Sequence, residues 1–154
     1  MAKRYWLLKS EPDVFSIDDL KKKKVIPWDG VRNYTARNFM RDGIKKGDGI
    51  LIYHSSCAVP GVAGLAEAAS DGVPDPTQFD PKSKYFDAKA LPNAPRWFLV
   101  KVAYKKTARR LIPLSLIKDM RGLESMVLLR QGRLSVQPVS PSEWDLITRL
   151  EGSW

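Results

Sequence analysis

The stretch from Trp28 to Met40, WDGVRNYTARNFM, gathers a tryptophan, a tyrosine, two asparagines and two arginines around a segment that needs none of them to form a helix. Such side chains stack on a flat ring, hydrogen-bond its edge or neutralise a phosphate. Trp28, Tyr34 and, further on, Tyr53 offer aromatic faces. Ser10, Asn33, His54 and Ser55 offer edge contacts, and Arg32, Arg37 and the run Lys21, Lys22, Lys23 and Lys24 offer phosphate contacts. The same side chains also serve as ordinary packing and solvated surface.

Catalytic constellations are sparse. His54 and Cys57 in YHSSC are the one enzyme-like pair, a thiol with an imidazole base, which would suit a small hydrolase or transferase. Three residues apart on an extended segment, they point to opposite faces unless the chain bends after Ser55. There is no P-loop, and GVAG lacks the third glycine and the strand-to-helix context of a dinucleotide site, so no cofactor is expected. One cysteine and one histidine cannot furnish a four-ligand zinc site. Asp71, Asp75, Asp80 and Asp87 lack calcium-loop spacing and read as a solvated loop, so no metal is expected either.

The 154 residues suit one domain spanning residues 1–154 with a real core. Hydrophobic residues make up 44% and charged residues 28%, values that point to neither disorder nor a membrane protein. No apolar run approaches the ~20 residues of a membrane span, and the N-terminus lacks the apolar core of a secretory signal. The single cysteine excludes an intramolecular disulfide. A cytoplasmic, monomeric protein without membrane contact is expected. The formal charge of +9, from 26 Lys and Arg against 17 Asp and Glu, favours a polyanion, with nucleic acid first. A basic face that docks an RNA-processing complex accounts for the same charge.

The elements that must position these residues are short. Tyr5 to Lys9 reads as a strand that breaks at Pro12, and Ser16 with Asp19 forms a capping box for a helix to about Lys23. The lysine run then falls where the helix macrodipole favours cations, so a solvated helix end explains it as well as phosphate binding does. Asn33 caps a helix to about Asp42, which a left-handed Gly43 ends; Tyr34, Arg37, Asn38 and Arg41 share one of its faces. Strands follow at Ile50 to Ser55 and Gly61 to Ala68, antiparallel, with Gly61 and Gly64 permitting close backbone approach. Ser70 to Pro95 reads as a long irregular excursion. A strand over Arg96 to Lys106, a short helix after Pro113, a helical segment near Leu123 to Leu129, a strand from Arg133 to Val139 and a helix capped by Ser140 and Glu143 complete the pattern. Together they predict an α+β domain with a curved, mostly antiparallel sheet or partly open barrel.

YWLLKSEP, WDGVRNYTARNFM, KGDGILIYHSS, VAGLAEA, DPTQFDPKSKYFD, PRWFLVKV, IPLSLIK and RLSVQPVSPSEW occur in an order that resembles the EVE domain family of the PUA-like superfamily, over almost the whole chain. The resemblance implies a PUA-like pseudo-barrel, a curved mixed sheet flanked by short helices. It also implies a non-enzymatic module whose pocket receives a flipped, modified base, for example a methylated one, of DNA or RNA. The pocket residues it implies are Lys9, Ser10, Glu11, Trp28, Val31, Arg32, Asn33, Tyr34, Tyr53, His54, Ser55, Arg133, Ser135 and Gln137. Packing roles stay open to several: Trp28 and Tyr53 as core, Glu11 as a capping or ion-pair partner, Arg133 as a donor to loop carbonyls. The sequence departs from the family pattern at Thr35, where Gln is expected, and at Lys101, where Asp is frequent.

Overall fold

Tyr5–Ser10 (β1) runs parallel to Gly49–His54 (β3), with Trp6 opposite Ile50 and Leu8 opposite Ile52. Both strands are buried on two faces, and their apolar residues therefore run almost continuously instead of alternating with polar ones. Trp6, Leu8, Ile50 and Ile52 enter one core cluster, while Leu7, Leu51 and Tyr53 enter the cluster on the other face. The computed structural model describes residues 3–154.

Gly61–Ala68 (β4) pairs antiparallel with β3, as expected, and the long Lys101–Pro113 (β7) pairs antiparallel with β4. Val25–Pro27 (β2) extends the sheet beyond β7, and Val136–Val139 (β8) closes the other edge against β1. The order β2-β7-β4-β3-β1-β8 makes a mixed six-stranded sheet. Register shifts at Ile52/Tyr53, Val62/Gly64 and Leu65/Ala66 curl it into a half-barrel, since an extra residue on one strand bends and twists the pair. A side chain at Gly61 would collide with the Ile112 carbonyl, and a Cβ at Gly64 would lie 2.6 Å from the Lys106 carbonyl, so both glycines are required by close approach.

Short helices flank this sheet. Ile17–Lys23 (α1) starts in the expected capping box: Asp19 N–H donates to Ser16 Oγ at 3.2 Å and Ser16 N–H to Asp19 Oδ2 at 2.8 Å. Pro141–Thr148 (α5) repeats the device with Ser140 and Glu143. Leu114–Asp119 (α3) follows Pro113, and Val127–Arg130 (α4) starts later than the sequence suggests; Leu123 and Met126 are buried in the loop before it.

Four local expectations change. Asn33 does cap a helix, but Tyr34–Asn38 (α2) passes into a π-helical turn, Phe39–Gly43, closed by Ile44 N–H donating to the Phe39 carbonyl. Gly43 does not adopt a left-handed conformation; it is glycine because a Cβ there would lie 2.7 Å from the Trp6 ring. The strand expected over Arg96 to Lys106 divides at Val100 into Phe98–Leu99 (β6) and β7. β6 pairs with Val73–Pro74 (β5), and the last strand begins at Val136, not Arg133.

The segment from Ser70 to Pro95 is only in part the solvated loop expected: Asp71 and Asp80 are exposed, whereas Asp75 and Asp87 are built into the structure. After β5, Asp75 caps the 3-10 turn Pro76–Phe79 and is fully buried. Gln78, also fully buried, uses its whole amide: Nε2 donates to the Asp75 and Trp97 carbonyls, and Oε1 accepts from the Arg96 and Trp97 N–H groups. Asp87 accepts from Trp97 Nε1 at 2.8 Å, a bond that holds its carboxyl below the usual carboxylate range.

Candidate nucleic-acid interface

At the end of β1 the chain turns into a cleft of about 580 Å³. Its walls come from four separate segments: Lys9 to Glu11 with Val14 and Phe15, Lys23 with Ile26 to Arg32, Tyr85 from the long loop, and Ser135 before β8. Trp28 is 8% exposed and packs edge-on against Phe15, ring centroids 6.1 Å apart, so it is both core and wall. Tyr85 lies over Gly30, whose φ of +80° and lack of a Cβ let the ring approach; a methyl there would sit 2.6 Å from it.

Asp75 holds this wall in place. Its carboxylate accepts from Gly30 N–H at 2.9 Å, from Arg32 at 3.1 Å and from both the N–H and hydroxyl of Thr77. Burial would raise its pKa, but the hydrogen bonds from Thr77, Gly30 and Arg32 outweigh burial and hold it below the usual carboxylate range. Arg32 in turn engages all five of its N–H donors, on the Tyr85, Val31, Asp75 and Thr77 oxygens, and its guanidinium lies 5.3 Å from the Tyr85 and Trp97 ring centres. Expected as a phosphate contact, Arg32 instead couples the two halves of the cleft wall.

The structure brings Lys9, Ser10, Glu11, Trp28, Val31, Arg32 and Ser135 together, joined by Lys23 from the lysine run. Ser10 Oγ donates to the Phe15 carbonyl at 2.8 Å, and Lys9 N–H to the Ser135 carbonyl at 3.0 Å. Burial lowers the Lys9 pKa, and its ammonium donates to the Gly132 carbonyl. A second hollow of about 400 Å³, lined entirely by polar residues and glycine, shares Lys9, Ser10, Glu11 and Ser135 with the cleft and adds Ser55, Ser56, Gly132 and Arg133.

Other sequence candidates lie elsewhere. Asn33 caps α2, its Oδ1 accepting from Ala36 N–H at 3.0 Å. Tyr34 stacks on Trp97 at 4.9 Å, with Arg37 over its ring and Arg96 donating to its hydroxyl; the shared helix face exists but meets the long loop, not the cleft. Tyr53 is 3% exposed in the core on the far face of the sheet. His54 Nε2 accepts from Ile17 N–H at 3.1 Å, satisfying a free donor at the start of α1, and burial lowers its pKa. That nitrogen is therefore not available as a base for Cys57. Gln137 is fully buried and donates to the Gln131 and Leu134 carbonyls. Lys21, Lys22 and Lys24 are exposed at the end of α1, outside the cleft lining.

Phe15, Asp29 and Tyr85 line the cleft without having been singled out in the sequence. Asp29 sits inside WDGVRN and was legible there as a polar neighbour of Trp28. Tyr85 carries no local signal, because the Asp75 network alone brings it to Gly30.

A half-barrel of this topology with one cleft at the end of its parallel pair is the architecture of an EVE domain. A model of that family, described as the EVE domain, matches residues 4–150, and the chain belongs to it. Thymocyte nuclear protein 1 from Homo sapiens is 39% identical over 166 aligned positions, covering 96% of this chain and 73% of the relative. A hypothetical protein from Leishmania major superposes with a TM-score of 0.92 at 50% identity, over 96% of this chain and 94% of that one. The human THYN1 protein in complex with 5-methylcytosine-containing DNA gives a TM-score of 0.92 at 38% identity, over 97% and 98% of the two chains. Among the described residues no helix is long and apolar enough to cross a membrane.

Proposed function

We propose that this protein is a nucleic-acid-binding domain that reads a modified base, such as a methylated cytosine, turned out of its stack into the cleft beside Trp28. One observation carries the reading: aromatic walls from Phe15, Trp28 and Tyr85 share a cleft with polar groups from Ser10, Asp29 and Ser135. A flat ring needs both kinds of surface, and few other ligands do. The human relative's complex with 5-methylcytosine-containing DNA supports the same class of ligand. Lys9 and Lys23 at the cleft, with the exposed Lys21, Lys22 and Lys24 beside it, supply cations for the backbone.

In this reading the protein binds and does not catalyse, which fits a His54 held at the α1 N-terminus as the one imidazole of the sequence. We place it in the cytoplasm, where its lone Cys57 stays reduced, and as a monomer on DNA; RNA carries the same backbone charge and is the alternative polyanion. The test is titration of the full chain with single-stranded and duplex DNA and RNA oligonucleotides carrying cytosine, 5-methylcytosine or an abasic site at one position, at fixed salt. Tighter binding of a base-bearing than an abasic oligonucleotide is expected. Equal affinity for all of them would reduce the protein to a nonspecific basic surface.

A further inference from the structure

We propose that Asp29 reads the exocyclic amino group of the base held in the cleft, so that the site selects cytosine- and adenine-type bases over those with a carbonyl at that position. This inference rests on the base-reading function proposed above.

The polar groups around the cleft are unequally occupied. All five Arg32 donors are taken, Ser10 Oγ donates to the Phe15 carbonyl, and the Lys9 ammonium donates to the Gly132 carbonyl. Asp75 is saturated by Gly30, Thr77 and Arg32. Among the described residues the Asp29 carboxylate receives no hydrogen bond from any other residue. It nevertheless lies between Trp28 and Gly30, in the segment that carries the aromatic wall and supports Tyr85. Glu11, the other acidic residue of the cleft, likewise receives no side-chain hydrogen bond among the described residues, but it belongs to the β1 end and also lines the all-polar hollow. Asp29 is exposed, so water meets its carboxylate until a ligand fills the cleft; partial desolvation, and then the neighbouring Asp75 charge, raise its pKa.

An ionised carboxylate only accepts. The amino groups of cytosine (N4) and adenine (N6) supply the donor it lacks, whereas thymine, uracil and guanine present a carbonyl oxygen there. Two acceptors face to face, both out of water, leave both unpaired, and such mismatches discriminate far more strongly than a methyl group does. Asp29 would therefore set which base is admitted, leaving the modification to be sensed by the apolar walls.

The decisive probes are oligonucleotides identical except at one position, which carries 5-methylcytosine, thymine or an abasic site. The first two share the ring and the methyl group and differ in the donor and acceptor pattern that Asp29 would meet. The wild-type chain should bind 5-methylcytosine at least about tenfold tighter than thymine. Asp29→Asn, which presents a donor as well as an acceptor, should shrink that ratio to about threefold or less, and Asp29→Ala should do the same. Both variants should melt at or above the wild-type temperature, because the repulsion with Asp75 is gone. Folded variants that keep the tenfold ratio, or a wild type that binds thymine as well as 5-methylcytosine, would overturn the assignment while leaving base reading intact. A wild type that binds the abasic oligonucleotide as tightly as the others would remove base reading and this inference with it.

Discussion

The Arg32 guanidinium and the fully buried Asp75 carboxylate lie 3.1 Å apart, joining the turn after Trp28 to the loop after β5. The pair matters for geometry more than for net stability, since two well-packed apolar groups often replace a buried ion pair at no loss. Removing one member is different, because it strands the other.

Arg32→Met should therefore destabilise the fold by about 2 to 3 kcal/mol, less than a fully buried pair because Arg32 is partly exposed. Urea denaturation measures it. Asp75→Asn should also remove part of the acid sensitivity. The folded pKa of Asp75 lies below its unfolded value of about 3.9, so its contribution is full above that value and is lost as pH falls toward the folded pKa. An acid limb identical in wild type and Asp75→Asn would contradict this account.

How much of this was legible in the sequence depended on range. The boxes at Ser16/Asp19 and Ser140/Glu143 and the cap at Asn33 were readable because each involves residues three apart. Gly43 was misread for the opposite reason: the Trp6 ring that excludes its side chain is remote in sequence, and a glycine after a helix suggests a left-handed cap by default. Gln78 and Asp75 looked like ordinary loop residues, and only their partners at residues 30, 32, 96 and 97 make them structural. The convergence of Ser10, Trp28 and Ser135 came from the family resemblance, while Tyr53 is buried beneath Lys9, whose ammonium lies 5.5 Å from its ring centre, and Gln137 is buried against the Gln131 and Leu134 carbonyls.

His54 should make stability depend on pH as pH falls below its unfolded pKa of about 6.5. Burial depresses its folded pKa below that value, so the unfolded chain binds more protons and stability falls as pH drops toward the folded pKa. It is the only histidine. His54→Gln should flatten the melting temperature against pH there and cost about 0.5 to 1.5 kcal/mol at pH 7 through the weakened bond to Ile17 N–H. The same slope in wild type and variant would place the titrating group elsewhere.

Gly30→Ala tests the wall itself. The new methyl would meet a left-handed backbone and the Tyr85 ring at once, so a loss of about 1 to 3 kcal/mol in stability is expected, with Tyr85 displaced. Affinity for base-bearing oligonucleotides should fall while that for abasic ones holds. Tyr85→Ala should reproduce the binding defect, roughly 1 to 3 kcal/mol if the ring stacks on the base, with a smaller loss of stability.

Salt dependence separates the lysines of the run. If nucleic acid binds across the cleft, log K falls linearly with log salt, and each phosphate contact contributes about 0.9 to the slope on duplex DNA and about 0.7 on a single strand. Lys23 lines the cleft, whereas Lys21 and Lys22 sit on the exposed end of α1, where the macrodipole alone accounts for a cation. Lys23→Ala should therefore reduce the slope by about one contact, and Lys21→Ala should leave it nearly unchanged. Because Lys23 is exposed, neither substitution should move the melting temperature by more than about 0.5 kcal/mol equivalent. Equal slope changes from the two lysines would mean that the backbone crosses the whole α1 end and not only the cleft mouth. No change from either would remove the run from the interface.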